Sequence, residues 1–139
     1  MSNSLEIADK LIELMKADPA FSKVEKWETN IPDEENQKGV QNVICTVIKP
    51  HTEQIKEYGD GRFGKTFLYD IVFSWKSTQY KIHEMYEFED AFNEIIKNNR
   101  TLGLSFVIHI APGPADNFVK IGGTKVTNIG LSLLVSVIV

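Results

Sequence analysis

The sequence predicts an α+β fold: a mainly antiparallel β-sheet with an N-terminal helix and one central amphipathic helix packed on it. Three observations carry this prediction. Apolar residues recur at three- and four-residue steps in two separate stretches, near the start and near the middle of the chain. Two other stretches, Phe67 to Trp75 and Ile129 to Val139, alternate apolar and small or polar residues with a period of two. The strand-like segments fall in groups between the helices and do not alternate with them one for one, which favours α+β over a doubly wound sheet.

Taken in order, Leu5, Ala8, Leu11, Ile12 and Met15 form one face of a helix, with Ser4 as its N-cap. Asp18-Pro19 ends it, because a residue before proline avoids the α region. Phe21 and Val24 form a short coda that packs beneath. Trp27 to Gly39 reads as extended chain and turn, with a solvated polar run from Asp33 to Lys38. Val40 to Ile48 is the first clear strand, dense in Val, Ile and Thr and closed by Pro50. Its apolar residues occur at both parities, as in a strand covered on both faces.

His51 to Lys65 reads as a long polar connection holding Gly59, Gly61 and Gly64. In the next strand Phe67, Tyr69, Ile71, Phe73 and Trp75 point one way and make a core face. Ser77 or Thr78 caps the second helix, whose stripe is Ile82, Met85, Phe88, Phe92, Ile95 and Ile96; Lys97 to Arg100 ends it. Leu102, Leu104, Phe106, Ile108 and Ile110 alternate as a strand. Ala111 to Asp116 is a Pro/Gly loop, Phe118 to Ile121 a short strand, and Ile129 to Val139 the last strand. The chain stops on that strand, so its end is read as structural, and residues 1–139 are expected to form one domain.

Composition narrows the function. The 139 residues are 42% hydrophobic and 24% charged, ordinary values for a globular protein that folds without disulfides or metal. The start carries acidic residues and no long apolar run, unlike a signal peptide, and no stretch approaches the ~20 apolar residues of a membrane span. Fifteen basic residues are scattered among nineteen acidic ones, for a net charge of −4, which disfavours a broad nucleic-acid surface. The single cysteine, Cys45, fits a reducing interior and sits where a core residue is expected.

Candidate chemistry is sparse. Gly59 to Gly64 matches G-x-G-x-x-G, but a dinucleotide site needs a strand leading in and a helix leading out, and here a strand follows. The kinase elements V-A-I-K, H-R-D and D-F-G are missing from the chain. His51, His83 and His109 have no ligand spacing, and no cysteine pair supports them. Glu84, Glu87, Glu89, Asp90 and Glu94 make an acidic helix whose first turn complements the helix dipole. No catalytic residue, cofactor site or metal site is assigned. The aromatic residues are more informative: Tyr86 and Phe88 suit either the core or a neighbouring subunit.

The order of elements resembles the tail-terminator (tail-completion, or head-tail joining) proteins of tailed bacteriophages and related tail-like particles. The likeness rests on an N-terminal helix ending Leu14-Met15-Lys16-Ala17-Asp18-Pro19 and a strand ending Val47-Ile48-Lys49-Pro50 before a long polar loop. An alternating strand, an amphipathic helix, the break Asn98-Asn99-Arg100-Thr101-Leu102-Gly103, a Pro/Gly loop and a closing strand follow. It covers nearly the whole chain. The resemblance implies a structural virion protein, not an enzyme. Such a protein forms a homo-oligomeric ring, commonly a hexamer, that caps the tail tube, ends its polymerisation and joins it to the neck. Implied partners are other copies of itself, the tail tube protein and the head-tail connector, with DNA only as passing cargo and no membrane. The implied place is the virion, assembled in the host cytoplasm. Tyr58, Arg62, Phe63 and Lys65 are expected to contact tube, neighbour or lumen, in a glycine-rich loop that orders on assembly. A head-proximal connector or stopper is the alternative within this class, and a small nucleotide- or ligand-binding enzyme using Gly59 to Gly64 is the alternative outside it.

Overall fold

The computed structural model describes residues 3–29, 43–48, 53–57, 61–76, 80, 82–113, 118–122 and 126–138. The expected α+β architecture is present: the described residues form a seven-stranded sheet and two α-helices. The elements are α1 (Asn3–Lys16), β1 (Val24–Glu28), β2 (Val43–Ile48), β3 (Glu53–Glu57), β4 (Phe63–Lys76), α2 (Tyr86–Asn98), β5 (Val107–Pro112), β6 (Phe118–Gly122) and β7 (Val126–Ile138). Short 3-10 turns at Pro19–Phe21 and Ile82–Met85 precede β1 and α2.

Two long strands organise the sheet. β4 and β7 pair antiparallel from Gly64↔Ile138 to Lys76↔Val126. On the far side of β4, β2 pairs with one half (Ile44↔Ser74 to Ile48↔Asp70) and β3 with the other (Glu53↔Phe67 to Glu57↔Phe63). On the far side of β7, β6 pairs with its first half and β5 with its second. The sheet therefore has two ends: β1-β2-β4-β7-β6 at one, β3-β4-β7-β5 at the other. Every pair is antiparallel except β1 with β2.

The core lies on one face. Phe67, Tyr69, Ile71, Phe73 and Trp75 of β4 and Ile129, Leu131, Leu133, Val135 and Val137 of β7 are all buried, as the alternation predicts. Against them pack Ile7, Leu11 and Met15 of α1 and Phe88, Phe92, Ile95 and Ile96 of α2. Phe73 stacks on Phe88 at 4.6 Å between centroids, and Phe21 stacks on both, at 5.7 and 5.5 Å. Such pairs add roughly 0.5–1.5 kcal/mol each beyond the area they bury. Val43, Cys45 and Val47 join this core, while Ile44 and Thr46 are buried on the opposite face, so β2 is covered on both sides as expected.

Several boundaries differ from expectation. Ser4 lies inside α1, not at its cap; its carbonyl accepts a hydrogen bond from the Tyr69 hydroxyl at 2.8 Å, which pins the first turn to the sheet. Asp18 caps the 3-10 turn instead, accepting from the Ala20 N–H at 2.9 Å. Val24–Glu28 is a strand where extended chain was expected only from Trp27. Three of its five residues are charged, so it lacks the apolar alternation of a strand, and a charged sequence is suited to its place at the sheet edge.

Leu102 to Phe106 turns where a strand was expected. Asn99 donates from Nδ2 to the Ile95 carbonyl at 2.9 Å, and Leu102 and Gly103 adopt φ of 54° and 68°. Leu102 tolerates the left-handed region because its side chain is fully packed in the core. The strand then begins at Val107, carries a bulge before His109, and leaves Ile108, part of the expected alternating row, 40% exposed. It also takes in Ala111 and Pro112, which were assigned to the loop. Ser77 and Thr78, the expected caps of α2, and Val139 lie outside the described residues.

Candidate assembly surfaces

The segment read as a long loop is largely a hairpin. Glu53–Glu57 pairs antiparallel with Phe63–Phe67. Gly61 has φ of 85°, which a glycine adopts without a Cβ penalty. The sequence concealed β3 because Glu, Gln and Lys dominate it; its backbone pairing with β4 supplies what its composition does not. Phe63 and Lys65 are therefore already in strand: Lys65 pairs with Ile55 on one side and Val137 on the other. This corrects their placement in the connecting loop. The G-x-G-x-x-G match falls in this hairpin, between antiparallel strands, and lacks the strand-to-helix setting a dinucleotide needs.

The hairpin presents the expected residues as follows. Phe63 and Lys65 continue the row of Phe67 to Trp75, beyond the stretch that the helices bury. Phe63 is 43% exposed, Arg62 is exposed and Lys65 is half-buried. Tyr58 lies outside the described residues.

The second surface is the outer stripe of α2. Tyr86, Asp90 and Glu94 follow at four-residue steps and are all exposed, with Tyr86 at 58%. The opposite stripe buries Phe88 completely. The structure thus divides the two aromatics that the sequence left open. Tyr86 is available to a partner; Phe88 is not, because its ring is held between Phe73 and Phe21. The first turn of α2 is tied down by Lys23, which pairs with Glu87 at 3.6 Å and lies over the Tyr80 ring at 4.9 Å. Tyr80 in turn accepts at its carbonyl from Trp75 Nε1 at 3.1 Å.

The third surface is the sheet face opposite the helical core. Leu68 and Leu134 face each other there, and Asp70 lies opposite Ser132. Burial raises the Asp70 carboxyl above the ordinary aspartate value, against a hydrogen bond with the Ser132 side chain that lowers it. Gly113 crosses close to this row: its N–H donates to the Ser132 carbonyl at 2.9 Å, and a Cβ there would overlap Ser132. Sequence reasoning gave this face no role, since its mix of Leu, Val, Ser and Asp reads as the solvated side of a strand.

The remaining chemical groups are dispersed. Cys45 is fully buried, and burial pushes its thiol well above the usual value. His83 and His109 are exposed, and His51 lies outside the described residues. No group of three or more His, Cys, Asp or Glu side chains converges among the described residues.

No family model matches the chain, and no curated protein matches it. Among solved structures, the fold is similar to a chain of the "Virion of native gene transfer agent (GTA) particle". The TM-score is 0.58 at 10% sequence identity, over 96% of this chain and 95% of that chain. The likeness runs essentially end to end in both, and at this identity it is one of fold: the α+β arrangement is that of a chain found in a virion.

Proposed function

We propose that the protein is a structural component of a phage-like virion, with the role of a tail terminator. Copies of the chain, each folded as one unit over residues 1–139, form a ring, commonly hexameric in such proteins. The ring caps the tail tube, stops its polymerisation and presents its other face to the neck. The mechanism is geometric: one ring face fits the tube, the other fits the connector, and no bond is made or broken. DNA passes through the lumen as cargo. The observation that supports this reading most is the end-to-end fold likeness to a chain of a gene transfer agent virion. The exposed hairpin residues Arg62 and Phe63, with Tyr86, provide contact groups of the kinds enriched at protein interfaces.

The test is the native mass of the purified protein across concentration, followed by imaging of the large species alone and with purified tail tubes. Six-fold rings seated on tube ends are expected. Rings that bind a head-side connector and ignore tubes would move the role to the neck stopper. A chain that stays monomeric both in solution and on tubes, and whose melting temperature rises with a nucleotide, would replace the structural role with a binding one.

A further inference from the structure

Among the described residues β1, β3, β5 and β6 are the outer strands of the sheet, and three of them carry features that block or restrict the addition of a further strand. β1 is charged at Glu25, Lys26 and Glu28, and its register shifts between Val24 and Lys26. β3 is charged at Glu53, Lys56 and Glu57. β5 has a bulge, contains Pro112 and spends the Ile110 N–H on the Arg100 carbonyl at 2.9 Å. β6 differs. Its sequence, Phe118-Val119-Lys120-Ile121-Gly122, has one charged residue and no proline, and its register against β7 is unbroken. A regular, apolar edge of this kind is a template for another strand.

Strand direction names the occupant. β1 and β6 end the same part of the sheet, β1-β2-β4-β7-β6, and each is five residues long. β1 is parallel to β2, and the pairs β2-β4, β4-β7 and β7-β6 are antiparallel, so β1 and β6 run in opposite directions. Copies related by a ring's rotation share one orientation. β6 of one copy therefore meets β1 of the next antiparallel, the commoner pairing, with the helices on the same side of the joined sheet. We infer that β6 of one copy adds to β1 of the next, so that the sheet continues around the ring. This rests on the ring reading above and adds the contact that closes it. Charge sets the register. Lys26, Ile44, Ser74, Asn128 and Lys120 form one row across the sheet, so an unshifted junction sets Lys120 against Lys26 of the next copy. A shift of two residues keeps every side chain on its face and sets Lys120 against Glu28 instead. A carboxylate accepts from several donors, so Glu28, which holds Lys26 of its own chain at 2.8 Å, also takes Lys120. At the other end of the sheet β3-β4-β7-β5 has one strand fewer. There β5 and β3 of the next copy stay one strand spacing, ~4.8 Å, too far apart to pair.

Proline at neighbouring positions of β6 in the full chain separates the edge from the fold. Successive N–H groups of an edge strand point alternately to the paired strand and outward. One of Val119→Pro and Lys120→Pro therefore breaks a bond to β7 and lowers the melting temperature. The other removes only an outward donor, which an edge strand tolerates; it keeps its melting temperature, and its concentration for half-assembly rises by about tenfold. Lys120→Glu, which sets like charge against Glu28 of the next copy, raises that concentration as well. Cross-linking gives an independent check. Because Cys45 is buried, an equal mixture of Lys120→Cys and Glu28→Cys chains treated with a short bismaleimide gives dimers holding one of each, while either variant alone gives none. Four outcomes overturn the inference. Rings that form as in wild type from the outward-proline variant remove this junction and leave the ring. Cross-links within one variant alone replace it with a two-fold contact through a single edge. Rings intact but tube capping lost in the outward-proline variant reassign the β6 edge to the tube. A wild-type chain monomeric in solution and on tubes removes the ring itself.

Discussion

Replacing Phe88 with alanine tests the division of α2 into a core stripe and a contact stripe. Phe88 is fully buried and packs face to face with Phe73 at 4.6 Å and Phe21 at 5.5 Å. Truncation removes a buried phenyl ring and leaves a cavity among side chains anchored on three elements, so partial collapse cannot refill it. Phe→Ala substitutions of this kind cost about 3–5 kcal/mol. For 139 residues that lowers the melting temperature by on the order of 10–20 °C. Tyr86→Ala, two residues away but 58% exposed, changes stability by about 0.5 kcal/mol or less. The assay is urea or thermal unfolding followed by circular dichroism on both variants, with a Phe73→Ala/Phe88→Ala cycle to isolate the ring pair, expected to couple by about 0.5–1.5 kcal/mol. A loss below about 1 kcal/mol for Phe88→Ala, or a larger loss for Tyr86→Ala, would refute the placement of the core stripe.

Three further predictions concern other parts of the sheet. The folded-state value of Asp70 is raised above its unfolded one, so stability from protonation is fully present below the ordinary aspartate value and is lost as pH rises through the raised value. Asp70→Asn should therefore stabilise the protein at neutral pH and give no gain near pH 3; equal effects at both pH values would contradict it. Cys45 should resist thiol reagents in the native state at pH 8 and react at a rate set by unfolding, because its thiol is buried and kept protonated. Stoichiometric labelling within seconds without denaturant would sink this. Gly113→Ala should cost roughly 1–3 kcal/mol, since the new Cβ falls against Ser132 Cβ and lies 2.9 Å from its carbonyl carbon, neither of which is free to swing away. A neutral melting temperature would show that β5 shifts to make room.

What the sequence by itself determined is the part written in side-chain periodicity. The period-two rows of β4 and β7 and the helical stripes of α1 and α2 are legible because burying one face repeats every 2 or 3.6 residues along the chain. All five residues of the β4 row and the five from Ile129 to Val137 are buried where the pattern put them. Cys45 was assigned to the core on residue type, as a lone cysteine in a Val/Ile strand, and it is buried. Tertiary structure decided what periodicity cannot encode. β1 and β3 are strands through backbone pairing with a neighbour, and their charged sequences carry no apolar alternation to reveal it. Leu102 to Ile110 shows the converse: perfect alternation, yet the first part turns, because Leu102 reaches the core through a left-handed residue and the bulge before His109 shifts the register. Tyr86 and Phe88 make the point for the candidate site. The sequence left both open to core or interface, and the position of Phe73 and Phe21 across the interior decides that Phe88 is core and Tyr86 faces out.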